Sequence, residues 1–244
     1  IEIQYDRMRR GYCIDYDNSL NVESFFHFLE IVNTAELLTE SLMESKDALK
    51  HISFDTGGGL KGIENLKPLL KAVIENRKIS FNHYNFQTEK VTAYTLKPYL
   101  LREYLNRWYV IGIVDGTKTL RIFGIDRVRD LDIKTETFIP DQSLNPACLF
   151  DQTIGLMFSQ NTVLDVVLSF THTQGKYIKT LPLHKSQKVL IDNEKECRIA
   201  LRVIPNYELT QEILMHGDSV KVMEPAWLAE KIQQILKRAL EKYR

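Results

Sequence analysis

Between residues 78 and 139 the hydrophobic pattern of this chain has a period of two, and the runs are short and closely spaced. That combination excludes a helical bundle over this stretch and asks for a compact all-β unit. Strands are expected at 79–84, 89–96, 99–103, 108–114, 119–125 and 128–135, separated by polar turns such as Asp115-Gly116. Five or six short strands in about sixty residues point to a small, strongly bent barrel of SH3 or Sm type.

Arginines stand in and beside these runs. Arg107-Trp108-Tyr109-Val110-Ile111-Gly112 is followed, across the turn, by Arg121-Ile122-Phe123-Gly124-Ile125-Asp126-Arg127-Val128. A guanidinium within a β-strand is costly unless it is hydrated, paired or offered to a ligand. Alternate residues of a strand share a face, so Tyr109 points opposite to Trp108 while Arg121 sides with Phe123. A surface of Tyr109, Arg121 and Phe123 would suit an anionic ligand with stackable rings, because guanidinium presents a planar fork of donors to phosphate. Trp108 reads as a core residue. Arg127 beside Asp126 reads equally well as a local ion pair. Arg107, Lys97, Arg102 and His83 stand near enough in sequence to border such a surface, each also explicable as an ordinary solvated or structural residue.

At 244 residues the chain is long enough for more than one domain, and its 44% hydrophobic and 26% charged residues are those of a globular protein. Acidic and basic residues balance at 32 each, so any polyanion site must be local rather than a property of net charge. Cys13, Cys148 and Cys197 are widely separated, which argues against a disulfide framework or zinc and for a reducing cytoplasm. No apolar run approaches the ~18–20 residues of a membrane span, and no signal peptide is present, so no membrane partner is expected. The six histidines have no metal-ligand spacing, and there is no GxSxG, P-loop or GxGxxG, so neither cofactor, metal nor catalytic constellation is expected. The chain opens without Met inside a strand-like run, and it is expected to be a fragment.

Residues 1–5 and 12–16 alternate around a turn that holds Arg7, Arg9 and Arg10, which reads as a β-hairpin. A solvated turn accounts for these arginines; the functional alternative is a wing whose basic tip touches DNA phosphates. Residues 21–76 read as helical with a break at 54–59, and such helices pack either on a domain or on a second copy of the chain. Residues 138–154, with Pro140 and Pro146, read as a linker. Beyond it the order is strand 163–170, helix 175–181, strands 187–191 and 197–203, helix 207–216 and strand 219–223, the β-α-β-β-α-β order of a ferredoxin-like domain. A last amphipathic helix follows Pro225.

Leu96-Lys97-Pro98-Tyr99, Arg107-Trp108-Tyr109-Val110, Arg121-Ile122-Phe123 and Asp126-Arg127-Val128 together resemble the signature of WYL-domain proteins in order and spacing, with Val110 where the family has Leu. The C-terminal part resembles the family's C-terminal extension through His184-x-x-Gln187, Leu214-x-x-Gly217 and Met223-Glu224-Pro225. The resemblance implies an α+β chain: a winged helix-turn-helix remnant at 1–17, a helical linker at 18–77, an Sm-like barrel at 78–139, a linker at 140–154 and a ferredoxin-like extension at 155–244. It implies a cytoplasmic bacterial transcription regulator and a homodimer. An N-terminal helix-turn-helix would bind promoter DNA, with Arg7, Arg9 and Arg10 on phosphates. The barrel would bind an anionic small molecule or single-stranded nucleic acid through Tyr109, Arg121, Phe123, Arg127, Arg107 and His83, with Trp108 and Pro98 structural. A nucleic-acid-binding or protein-interaction module with no switch is the alternative.

Overall fold

The computed structural model describes residues 3–6, 10–14, 61–141, 143–144, 147–157 and 162–244. Backbone contacts divide the chain into two units, Ile1–Gly57 and Gly58–Arg244. In the first, β1 (Ile3–Asp6) pairs antiparallel with β2 (Gly11–Ile14), and Tyr5 meets Tyr12 edge-to-face at 5.3 Å across the ladder. Arg10 is exposed at the turn of this hairpin. Arg7, Arg9 and the helices expected over 21–60 lie outside the described residues.

The second unit opens with helix α1 (Leu66–Ile74), whose Leu69 and Ala72 are fully buried. Its burial explains the helix better than propensity does, since so short a helix is marginal in water by itself. Five strands follow: β3 (Arg77–Asn85), β4 (Lys90–Tyr104), β5 (Arg107–Val114), β6 (Leu120–Gly124) and β7 (Val128–Thr137). They form one antiparallel sheet in the order β6-β5-β4-β3-β7. A 3-10 turn over Ile125–Arg127 carries the chain from β6 to β7. No ladder joins those two strands among the described residues, so the sheet is open there.

The two strands expected at 89–96 and 99–103 are a single strand, β4. Pro98 lacks an N–H and reads as a break in sequence, but here it sits at a bulge where the register against β5 shifts between Pro98 and Leu100. Gly112 pairs with Pro98, and a Cβ at Gly112 would collide with the carbonyl oxygen of Lys97 and come within 2.8 Å of Leu96. Only glycine lets the strands approach this closely at the bend. Leu69, Ala72, Ile79, Phe81, Leu96, Val110, Phe123, Ile125 and Val128 form the core, with Trp108 half-buried against it.

The C-terminal part contains β8 (Leu164–Thr171), α2 (His172–Thr180), β9 (Lys188–Asp192), β10 (Glu196–Val203), α3 (Tyr207–Met215), β11 (Val220–Glu224) and α4 (Ala226–Glu241). The β-α-β-β-α-β element order is that expected from the pattern, and the strands lie in the order β11-β8-β10-β9. Two helices start on side-chain caps: Thr171 accepts from the Gln174 N–H, and Asn206 accepts from the Leu209 N–H at 2.8 Å. The core is almost wholly aliphatic, built on Val166, Leu168, Ile199, Leu201, Leu209, Ile213 and Leu228.

Between the two sheets, residues 150–157 are clamped from both sides. Arg102 of β4 donates from Nη2 to the Gly155 carbonyl at 3.2 Å and stacks its guanidinium 3.8 Å from the centre of the Phe150 ring. Glu208 of α3 accepts the Leu156 and Met157 N–H groups on Oε1 at 3.2 and 2.9 Å. Arg102 is thus a structural anchor for the connecting segment.

Candidate ligand site

The bent sheet presents aromatic rings and cations along its inner side. Phe81 and His83 of β3, Tyr94 of β4 and Phe123 of β6 form one cluster: Phe123 lies 4.8 Å from Tyr94, 5.1 Å from Phe81 and 5.1 Å from His83 between ring centres. Cross-strand register makes this cluster, since Phe81 pairs with Tyr94 and Phe123 with Val110. Arg121 is exposed at one end, its guanidinium 5.8 Å from the Tyr94 ring centre and Nη1 donating to the Tyr94 hydroxyl at 3.4 Å. Arg121 does share a face with Phe123, as expected. Phe123 itself is 4% exposed, so it forms the floor of the cluster rather than an open stacking surface.

At the other end of the cluster the 3-10 turn folds two charged side chains over Gly124. A Cβ there would come within 2.5 Å of Asp126 Oδ1 and 2.7 Å of Arg127 Nη2. The absence of a side chain lets carboxylate and guanidinium lie flat against the backbone. Arg127 Nε stands 3.6 Å from Asp126 Oδ1, and Arg107 Nη1 stands 3.9 Å from Asp126 Oδ2. Both distances allow attraction but exceed a good hydrogen bond. Asp126 Oδ1 and Arg127 Nε are buried atoms without a hydrogen-bond partner, and His83 lies near the Gly124 backbone. Buried polar atoms are ordinarily paired, so two such atoms over one glycine mark an incompletely satisfied ion pair.

Burial, then the field of Arg127, hold His83 below its ordinary value of 6.5, so the imidazole is neutral at pH 7. Tyr109 pairs with Gly124 and with Arg102, which places it on the opposite side of the sheet from Arg121 and Phe123. The three residues expected on one surface are therefore split between two. Burial raises the Tyr109 phenol, which also feels Arg107, Asp126, Arg127 and Glu208. It sits electrostatically between the turn and helix α3. Lys97 is engaged elsewhere, with Asp115 at 3.4 Å in a surface cluster that also takes in Lys78.

Tyr94 and Phe86 were not singled out in the sequence. Phe86 lies in the β3–β4 turn, 59% exposed, with the Arg127 guanidinium 4.9 Å from its ring centre. Neither residue carries a local signal; pairing register alone brings them to the site. Among the described residues no cluster of His, Cys, Asp or Glu fits a metal ion, and no helix is long and apolar enough to cross a membrane.

Two family matches cover the described sheets. Residues 64–133 match the WYL domain and residues 162–240 match the WCX domain. No curated protein matches the chain. Among solved structures, the chain is similar to proteasome accessory factor B/C (PafBC) of Arthrobacter aurescens, at 19% identity and a TM-score of 0.31, over 78% of this chain and 28% of that one. It is also similar to a CRISPR Cas-related protein, at 12% identity and a TM-score of 0.46, over 75% of this chain and 52% of that one. The chain thus spans 28% and 52% of the lengths of these two structures. With its signature strands at β4 to β7, the chain carries a WYL domain followed by a WCX domain.

Proposed function

We propose that this chain is the sensing part of a bacterial transcription regulator whose WYL domain binds an anionic, phosphate-bearing effector, either a nucleotide-like molecule or single-stranded nucleic acid. One observation carries the reading: exposed Arg121 heads a continuous run of rings, Tyr94, Phe123 and His83, that ends at Arg127 and the unpaired atoms around Gly124. Cations at both ends of an aromatic run match a ligand with phosphates and planar rings. Arg107, 60% exposed on its side chain, adds a third cation beside Asp126.

The strand order β6-β5-β4-β3-β7, with α1 before it and a 3-10 turn before its last strand, supports an Sm-like barrel for 78–139. The order β11-β8-β10-β9 supports a ferredoxin-like fold for 155–244. Residues 1–17 are assigned to the wing of a helix-turn-helix domain that contacts promoter DNA, with Arg7, Arg9 and Arg10 at phosphates; the part of 18–77 before α1 is assigned to a helical linker, α1 itself packing in the core of the WYL sheet, and the regulator to a cytoplasmic homodimer.

In mechanism, effector on Arg121 and Arg127 alters the field and packing at Asp126. Tyr109 feels both that turn and Glu208, which holds the connecting segment. An effector that favours one of two arrangements of these contacts shifts the population, and DNA binding with it. The test is titration of the chain with a labelled, 5′-phosphorylated oligothymidylate. Arg121→Ala is expected to weaken binding about tenfold, the scale of one lost charge-assisted contact, without changing the melting temperature. Unchanged affinity would overturn the assignment.

A further inference from the structure

Phe86 is an exposed phenylalanine held in a defined place. The Asn85 side chain accepts from the Gln87 and Thr88 N–H groups at 2.8 and 3.2 Å, which fixes the turn that carries it. Tyr84 meets its ring edge-to-face at 5.7 Å, and the Arg127 guanidinium covers part of one face at 4.9 Å. The ring is nonetheless 59% exposed. A fixed, exposed ring of this kind offers a ligand contact area at little entropic cost.

Beside it stands a loose ion pair, Arg127 and Asp126, whose closest atoms are buried and 3.6 Å apart while the side chains as a whole are 25% and 18% exposed. Together they offer N–H groups and carboxylate lone pairs. Behind them lies His83, 8% exposed. Phosphate can use the guanidinium but gives the carboxylate nothing, since both are anions. The group that answers all of these features is flat, aromatic at its face, and carries a hydrogen-bond acceptor next to a donor on its edge.

We propose that Phe86, Arg127 and Asp126 form a subsite for a planar heteroaromatic ring of the nucleobase class, distinct from the phosphate contact at Arg121. The ring stacks on the exposed face of Phe86, its carbonyl accepts from the edge of the Arg127 guanidinium, and its N–H donates to the Asp126 carboxylate. This rests on the proposed anionic-effector reading and adds to it: phosphate alone occupies only part of the site.

The experiment compares the chain's affinity for a short labelled oligothymidylate and for an abasic strand of the same length and charge, by fluorescence anisotropy. Wild type is expected to bind the base-bearing strand about tenfold more tightly, the scale of one stacked base. Phe86→Ala brings that strand down to the abasic level and leaves abasic binding and the melting temperature unchanged; Phe86→Tyr restores the preference. The subsite is overturned, with the anion reading intact, if wild type binds both strands equally or if Phe86→Ala lowers both alike. Binding of neither strand overturns the anion reading and the subsite with it.

Discussion

The two sheets of the second unit are alike in kind and opposite in how they use their inner faces. The sheet of β8 to β11 covers its apolar side with aliphatic residues and helices; its unpartnered buried atoms at His184, Glu208 and His216 lie before β9 and at the two ends of α3. The sheet of β3 to β7 mixes rings, a histidine and arginines, and two of its unpartnered atoms meet at one glycine. Uniform aliphatic packing serves stability. An aromatic and cationic face with unpartnered buried atoms gives up some of it, which the proposed effector would restore.

Matched core truncations test this contrast most strongly. Leu168→Ala in the C-terminal sheet is expected to cost about 3 kcal/mol in urea unfolding, while the folded fraction keeps its effector affinity. Phe123→Leu is expected to cost about 1.5 kcal/mol or less, yet to weaken effector binding, because Phe123 spaces Tyr94 from His83. Equal effects of both on binding would erase the distinction.

A smaller effect is expected from Gly124→Ala. Its Cβ meets the ends of two flexible side chains, Asp126 and Arg127, which can swing aside. Stability should therefore fall by only about 1 kcal/mol, while calorimetric titration shows a clear loss of effector affinity. Loss of fold with normal affinity in the remaining folded protein would instead make Gly124 a packing residue.

The smallest effect is in pH dependence. Because His83 is held below its ordinary value of 6.5, the folded chain binds that proton less readily than the unfolded chain. Its contribution to stability is complete above pH 6.5 and is lost as pH falls through the lower folded value. Melting curves from pH 7.5 downward should show a shallower decline for His83→Gln than for wild type, on a residual slope from His184, which burial lowers in the same direction. An unchanged slope would mean that His83 does not titrate on unfolding.

The elements of the C-terminal part were legible because each announces itself locally, as alternating runs and helical stripes. The hairpin of β1 and β2 was legible for the same reason. In the WYL domain Pro98 hid the continuity of β4, since a residue without an N–H looks like a strand end until its bulge is seen. Arg121 could be picked out because its strand neighbours are apolar. Tyr94 and Phe86 could not, and Tyr109 was put on the wrong surface, because only the register between strands says which residues of different strands meet.

Arg121 and Arg127 are proposed to hold a polyanionic ligand at the WYL sheet. The salt dependence of oligothymidylate binding in wild type and in the Arg121→Ala/Arg127→Ala variant tests this most directly. Each phosphate contact contributes about −0.7 to the slope of log affinity against log salt for single strands. The slope is expected to be shallower by about one to one and a half in the variant. Identical slopes in the two proteins would contradict it.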